Sequence, residues 1–161
     1  MYIKTIVNYI LDHHKKDQRF LVAIDGVSGS GKSYLAEQIK KCLPEAEILS
    51  LDIFDMYQGE LSNEKVIHKI LEIGTGKIVI LEGIFALNNK LESYYDYKIW
   101  IECPALAGYK RGLKRDIELN GIDNTDKWEN VWMPREEKYT REEKPQDKAD
   151  LIIPHMSDMW V

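Results

Sequence analysis

The residues with the clearest chemistry in this 161-residue sequence form one short run near the N-terminus. Residues 26–33 read Gly-Val-Ser-Gly-Ser-Gly-Lys-Ser, which is a complete GxxxxGK[ST] pattern. Glycines in such a run let successive backbone N–H groups face inward at the positive end of a helix, where phosphate oxygens fit. Lys32 is expected to bridge the β- and γ-phosphates of a nucleotide, and the Ser33 hydroxyl is expected to bind magnesium.

The predicted nucleotide-binding residues lie in this run or directly after it. They are Gly26, Ser28, Gly29, Ser30, Gly31, Lys32, Ser33 and Tyr34. An apolar run precedes the pattern and a helix-forming stretch follows it, which is the context of a phosphate loop and disfavours a glycine-rich turn without function. The pattern does not distinguish GTPases, motor ATPases and small-molecule kinases, because all of them hold a triphosphate in the same way.

Two acidic residues each follow an apolar run. Asp52 comes after residues 47–51, and Glu82 comes after residues 78–81. A carboxylate at Asp52 could accept the proton of an attacking hydroxyl or hold a magnesium-bound water, and a helix-capping role is the alternative. Asp55 is a less favoured neighbour. Glu82 is interpreted as a Walker B-like acid, and because that position is often Asp in nucleotide-hydrolysing proteins, Glu followed by glycine favours a kinase.

Alternating apolar runs and helix-like stretches predict the elements that position these residues. Short apolar runs, typical of buried parallel strands, occur at 20–24, 47–51, 78–81, 97–101 and 151–153. Helix-like spacing occurs within 1–19, at 33–43, 62–73 and 105–120, and less regularly at 125–141. This order predicts an α/β protein with a three-layer, doubly wound, parallel five-stranded sheet and with ligands at the carboxyl ends of the strands.

Composition excludes several classes of protein. The formal net charge of −5 argues against general affinity for nucleic acid or anionic membrane. No apolar run reaches the roughly 18 residues of a membrane helix, and no secretion signal is recognisable, so a cytoplasmic location is expected. Cys42 and Cys103 lie in no metal-binding spacing and are expected to be reduced thiols. The length favours one domain over residues 1–161, and a homo-oligomer is left open.

Three segments together resemble the uridine kinase and phosphoribulokinase family of phosphate-loop kinases. They read GVSGSGKS, SLDIFDMY and VILEGIFAL, at 26–33, 50–57 and 79–87. Looser similarity continues at 97–101, 110–117, 132–139 and 149–154, so the resemblance covers about residues 20 to 154. It implies a phosphate-loop fold like that of nucleoside and nucleotide kinases.

The resemblance also implies an activity and roles for residues. The expected reaction is transfer of the γ-phosphate of ATP, with Mg²⁺, to a hydroxyl of a small-molecule acceptor, with a nucleoside as the leading candidate. Asp52 would be the general base, and Glu82 would support magnesium or acceptor binding, which makes Ser33, Asp52 and Glu82 the predicted metal-binding residues. Arg111 and Arg115, on a lid helix at about 104–121, would swing onto the phosphates. From the residues alone, this basic stretch can also be a solvated helix face.

Two features differ from typical uridine kinases. Only about thirty residues separate Asp52 from Glu82, and residues 58–77 lack the alternating pattern of the hairpin that grips the base in that family, so no such hairpin is predicted. Gly108 and Gly112 stand where the family often has arginine, and they are expected to loosen the lid. Two other functions stay open: an ATP- or GTP-binding regulatory switch, and an inactive kinase relative that serves as a nucleotide-binding module.

Overall fold

Strands and helices alternate along the computed structural model, which describes residues 2–56 and 60–154. The strands in these residues are β1 (Phe20–Gly26), β2 (Glu47–Ser50), β3 (Asp55–Met56), β4 (Glu60–Leu61), β5 (Ile78–Glu82), β6 (Tyr97–Ile101) and β7 (Leu151–Ile153). The α-helices are α1 (Tyr2–His13), α2 (Lys32–Cys42), α3 (Asn63–Glu72), α4 (Ala105–Asn120), α5 (Thr125–Lys127), α6 (Met133–Glu143) and α7 (Pro145–Lys148).

Five of the strands form one sheet in the order β2-β5-β1-β6-β7. Every neighbouring pair in this sheet is parallel, so the carboxyl ends of the strands meet at one edge. Parallel neighbours need crossover connections, and helices supply most of these. The predicted α/β, doubly wound five-stranded architecture is confirmed, and each predicted strand is present with bounds within two residues of the observed ones.

Both faces of the sheet are buried, which is why its strands read as continuous apolar runs. Side chains alternate along β1 between two core clusters, one shared with α1 and α2 and the other shared with α3. The first cluster includes Ile6, Ile10, Val22, Ile24 and Ile39. The second includes Leu21, Ala23, Val66, Ile70 and Leu87. Helices on both faces give the predicted three layers.

A short antiparallel hairpin follows β2, and it begins before the stretch 58–77 in which no base-gripping hairpin is predicted. A single 3-10 turn, Leu51–Phe54, leads from β2 into β3, and β3 pairs with β4 in a separate two-stranded sheet. Its strands have two residues each, so they are too short to show the alternation by which a hairpin is recognised in a sequence. Tyr57 of the family-like segment lies outside the described residues.

The helical stretch at 125–143 is irregular, as the sequence indicates. It consists of α5, a π-helical turn at Trp128–Trp132 and α6. Trp128 is buried, and its indole Nε1 donates to Oδ2 of Asp116 in α4 at 3.0 Å. This contact ties the irregular stretch to α4. Among the described residues, no helix has the length and apolar character needed to span a membrane.

Candidate nucleotide and acceptor site

The glycine-rich loop connects the end of β1 to the start of α2. Gly29 has φ +71° and Gly31 has φ +102°, both in the left-handed region that glycine adopts at little cost. Because α2 begins at Lys32, its first backbone N–H groups have no partners within the helix. Gly31, directly before it, has no side chain to cap them. This is the local geometry that binds a phosphate group.

Lys32 and Ser33 contact different parts of the site. The Lys32 Nζ donates to the carbonyl oxygens of Gly26 and Val27, both at 3.0 Å, so its ammonium group lies against the loop. The Ser33 hydroxyl donates to Oε2 of Glu82 at 3.1 Å. Glu82 ends β5, the neighbour of β1, and is only 5% exposed. The sheet therefore brings together two residues predicted to bind magnesium.

The donors at Ser33 and Glu82 suit a magnesium ion bound with a nucleotide. Both offer oxygen, which is the ligand that Mg²⁺ prefers. The part of the chain described by the structure contains no group of three or more His, Cys, Asp or Glu residues that could hold a metal ion. Mg²⁺ in nucleotide sites usually takes only one or two carboxylates, together with phosphate oxygens and waters, so this donor set fits the ion.

Helix α4 approaches the loop very closely, at Gly108. A Cβ added at Gly108 would lie 2.3 Å from the carbonyl oxygen of Ser28, and one added at Gly29 would lie 2.2 Å from the carbonyl oxygen of Gly108. One turn later, a Cβ at Gly112 would lie 2.2 Å from the ring of Trp128. Both glycines, which are expected to loosen the lid, stand at close contacts that a larger side chain would disrupt.

Arg111 and Arg115, the two predicted lid arginines, face the loop across a cavity of about 290 Å³. The Arg111 Nη2 lies 2.9 Å from Sγ of Cys103, and the Arg115 Nη2 lies 3.4 Å from Oδ1 of Asp116. We call this space the phosphate cavity. Its lining residues are Ser28, Gly29, Gly31, Lys32, Ser33, Tyr34, Asp52, Glu82, Ile84, Arg111, Gly112 and Arg115. The predicted phosphate-binding side chains thus share one space.

A second cavity, of about 360 Å³, opens beside the phosphate cavity. We call it the acceptor cavity. It is lined by Ser28, Leu51, Asp52, Leu61, Ile84, Phe85, Arg115, Asp116, Asn124, Trp128, Trp132, Arg135 and Glu136. Asp52, exposed on the 3-10 turn after β2, lines both spaces together with Ser28, Ile84 and Arg115. These four residues mark the junction of the two cavities. No side-chain position is described for Asp55.

Phe85 forms an aromatic wall of the acceptor cavity. Its backbone has φ +71°, a left-handed conformation that is uncommon for a bulky residue. The Arg135 guanidinium lies 4.6 Å from the centre of the Phe85 ring, and Tyr139 packs edge-on against the same ring at 4.8 Å. Backbone conformations of this kind cost energy and often occur at binding sites.

Asp25, which the sequence interpretation passed over, lies at the base of the loop and is fully buried. Its carboxylate accepts hydrogen bonds from the Gly26 N–H at 2.7 Å, the Leu87 N–H at 2.9 Å and the Tyr139 hydroxyl at 2.6 Å. Burial raises its pKa to about 6, and these hydrogen bonds limit the increase. The available signal was an acid at the end of an apolar strand, the same signal that selected Asp52 and Glu82.

Glu136 is a second residue that sequence reasoning missed. Its carboxylate accepts hydrogen bonds from both the backbone N–H and the hydroxyl of Ser28, at 2.9 Å for the N–H. Three residues later on the same helix, Tyr139 contacts Asp25. Burial is the main cause that raises the pKa of the Tyr139 hydroxyl, and the negative charge of the nearby Asp25 is the second. The hydroxyl therefore stays protonated and acts as a hydrogen-bond donor. Glu136 lies within 132–139, where the sequence has loose similarity to the family, but no spacing rule connects residues 108 positions apart, so its contact with Ser28 was not predicted.

A glycine-rich loop before a helix, on a parallel sheet with an acidic strand end beside it, defines a phosphate-loop protein of the α/β class. Comparison with known families narrows this class. The sequence model of the Phosphoribulokinase / Uridine kinase family matches residues 56–161, well over half of the chain. The chain belongs to this family, as the resemblance predicted.

Individual relatives are distant in sequence. The uridine kinase of Schizosaccharomyces pombe is 27% identical over 188 residues, covering 85% of this chain and 40% of the relative. The uridine kinase of Borrelia turicatae is 25% identical over 176 residues, covering 83% of this chain and 85% of the relative. Inorganic pyrophosphatase TTM2 of Arabidopsis thaliana is 24% identical over 143 residues. This chain spans only 21% of the plant protein and 40% of the yeast one.

Solved structures share the fold. A putative fructose transport system kinase from Silicibacter sp. TM1040 superposes with a TM-score of 0.74 and 18% identity, over 96% of this chain and 100% of that chain. A possible uridine kinase from Bacillus stearothermophilus gives a TM-score of 0.66 and 18% identity, over 94% of this chain and 96% of that chain. At this identity the similarity supports the fold and does not identify a substrate.

Proposed function

We propose that this chain is a magnesium- and ATP-dependent kinase that transfers the γ-phosphate to a hydroxyl group of a small metabolite. The observation that carries the proposal is the junction of the two cavities, where Ser28, Asp52 and Arg115 line both. A kinase needs such a junction because donor and acceptor must meet in line, whereas a regulatory switch needs only the phosphate site. Family membership and the uridine kinases among the relatives support the same activity.

On the nucleotide side, the proposal assigns binding to the loop and to its neighbours. The Lys32 ammonium, held by loop carbonyls, would turn to phosphate oxygens as they enter. Ser33 and Glu82 would hold magnesium, which when bound neutralises negative charge on the triphosphate. The buried position of Glu82 fixes where its carboxylate lies relative to the loop.

At the junction, Asp52 and Arg115 have complementary tasks in the proposed reaction. Asp52 would accept the proton of the attacking hydroxyl, an effect typically worth about 10²–10⁴ in rate. Arg115 would place a planar guanidinium beside the equatorial oxygens of the transferring group, where negative charge must be balanced. Both side chains are exposed, so they can reach a bound acceptor.

The acceptor cavity favours a compound that combines a flat ring with hydroxyl groups. Phe85 and Trp132 offer aromatic surface, while Asn124 and Asp52 offer hydrogen-bonding groups. A nucleoside has both features, and it is therefore our leading acceptor. The hairpin β3–β4 provides only two-residue strands beside this cavity, so a related sugar alcohol is the second candidate.

An acceptor screen tests this function. The purified chain would be incubated with MgATP and pools of nucleosides, sugars and vitamin precursors, and products would be detected by a mass gain of one phosphate. We expect one acceptor class to be phosphorylated by the wild-type chain and not by Lys32→Ala. Binding of MgATP without any phosphorylated product would contradict the kinase proposal and favour a regulatory switch or an inactive relative.

A further inference from the structure

Helix α6 contacts the phosphate loop at two points. Glu136 accepts both the N–H and the O–H of Ser28, and Tyr139 donates to Asp25 just before the loop. The two residues are three positions apart, so they lie on the same face of the helix. The helix therefore holds the loop at its base and at its third residue.

The Glu136 carboxylate is buried and fully hydrogen-bonded. It is only 7% exposed, and burial of a carboxylate is costly unless hydrogen bonds compensate it. Both oxygens have a donor, and both donors belong to Ser28. The N–H of Ser28 is thus directed to Glu136, and the N–H of Ser30 donates to the carbonyl oxygen of Val27 at 3.0 Å.

Ser28 lies at the junction of the two cavities. It lines both the phosphate cavity and the acceptor cavity, whereas Lys32 and Ser33 line only the phosphate cavity. Small displacements of groups that align a donor with an acceptor can reduce turnover about 100-fold, even when both substrates still bind.

We propose that Glu136 is a positioning residue that acts through Ser28 to align the phosphate loop with the acceptor. This inference rests on the kinase function proposed above. Glu136 affects the transfer step more than nucleotide binding, because the anchoring groups at Lys32 and Ser33 do not depend on it. Tyr139 supports the same helix from the base of the loop.

The test compares Glu136→Gln and Glu136→Ala with Glu137→Gln, a matched control at an exposed neighbouring carboxylate. Gln at 136 keeps the size of the side chain and one acceptor oxygen, so it also guards against a folding defect in the Ala variant. We expect turnover to fall about 10-fold in Glu136→Gln and about 100-fold in Glu136→Ala. We expect the MgATP dissociation constant to change by less than about threefold and the control to behave as wild type.

A double variant tests whether Glu136 acts through Ser28. If it does, Ser28→Ala combined with Glu136→Ala transfers phosphate no more slowly than Glu136→Ala alone, because the shared contact is already lost. If the losses of turnover in the two single variants add fully in the double variant, Glu136 does not act through Ser28. Unchanged turnover in Glu136→Ala would also overturn the proposal, as would equal losses of turnover and nucleotide affinity, which indicate a structural role only.

Amide hydrogen exchange gives a readout that needs no acceptor. In Glu136→Ala, the amide of Ser28 is expected to exchange faster, while amides in α1 stay unchanged. Unaltered exchange at Ser28 would overturn the contact itself. If the wild-type chain phosphorylates no acceptor, both the kinase function and the role of Glu136 in phosphate transfer are refuted. Faster exchange of the Ser28 amide in Glu136→Ala would still support the Glu136–Ser28 contact. The two failures are therefore distinguishable.

Discussion

The two sides of the junction are built in different ways. On the nucleotide side, the loop and Glu82 lie at the ends of β1 and β5, neighbouring strands in the centre of the sheet, and Lys32 and Glu82 are buried. On the acceptor side, Asp52 is exposed on a 3-10 turn and Arg115 is exposed on a peripheral helix. The nucleotide side is thus held by the core, and the acceptor side by elements around it.

The function of such a fold can therefore change most readily on the acceptor side. A triphosphate presents the same shape to every phosphate-loop protein, so its site can be fixed by the sheet itself. Acceptors differ in shape, and the elements that line the proposed acceptor cavity are short or irregular, namely the hairpin, the turn before it and the stretch at 125–143. Substitutions on each side show whether the two sides can be separated.

Asp52 is the position at which we expect substitution to reduce turnover most. Asp52→Asn keeps the shape of the side chain and removes the base, so transfer is expected to slow by about 10²–10⁴-fold. The rate would be measured under saturating MgATP with the acceptor found in the screen. Asp17→Asn, an exposed carboxylate before β1, is the control. Wild-type turnover in Asp52→Asn would refute general-base catalysis by this residue.

On the nucleotide side, Lys32→Ala removes the cation held by the loop. Because its interactions with phosphate would strengthen as charge develops, turnover is expected to fall by about 10²–10³-fold. Steady-state kinetics would be compared with Lys41→Ala, an exposed lysine near the other end of α2. Equal activities in the two variants would remove Lys32 from the proposed mechanism.

The buried carboxylate of Asp25 predicts a dependence of stability on pH. Its pKa is raised to about 6 from an ordinary value of 3.8, so the folded state binds its proton more tightly than the unfolded state. This contribution to the free energy of unfolding is fully present below about pH 4 and is lost as the pH rises through about 6. At about 1.4 kcal/mol per pKa unit, the loss is about 3 kcal/mol.

Urea unfolding between pH 4 and pH 7 measures this loss. Other groups titrate in the same range, so the pH slope of the wild-type chain is compared with that of Asp25→Asn. The Asn variant is expected to be less stable overall, because it cannot accept all three hydrogen bonds, and to have a less negative slope. Identical slopes would show that Asp25 does not titrate as proposed.

The smallest of these effects concerns the contact between the two sides. Gly108→Ala places a Cβ against the carbonyl oxygen of Ser28, and overpacking of this kind costs about 1–3 kcal/mol. Gly74→Ala is the matched control, because a Cβ there meets no atom within 4 Å. Thermal or urea unfolding would compare the two variants. Equal stabilities would mean that α4 does not press on the loop.

Much of the nucleotide side could be predicted because its signals are local. The phosphate-loop pattern and the acid after an apolar run are each contained in fewer than ten residues, and buried strands have a recognisable composition. Contacts such as Ser28 with Glu136, or Gly29 with Gly108, join segments distant in sequence, and no local rule reveals them. The β3–β4 hairpin could not be recognised in the sequence for a different reason. Its strands are too short to show an alternating pattern.

Titration of MgATP in the absence of acceptor tests the separation of the two sides most directly. Dissociation constants for MgATP would be measured by calorimetry for the wild-type chain, Lys32→Ala and Asp52→Asn. We expect the wild-type chain and Asp52→Asn to bind MgATP with similar affinity, and Lys32→Ala to bind at least about tenfold more weakly. No binding by the wild-type chain would contradict the nucleotide site, and an equal loss of affinity in both variants would contradict the separation of the two sides.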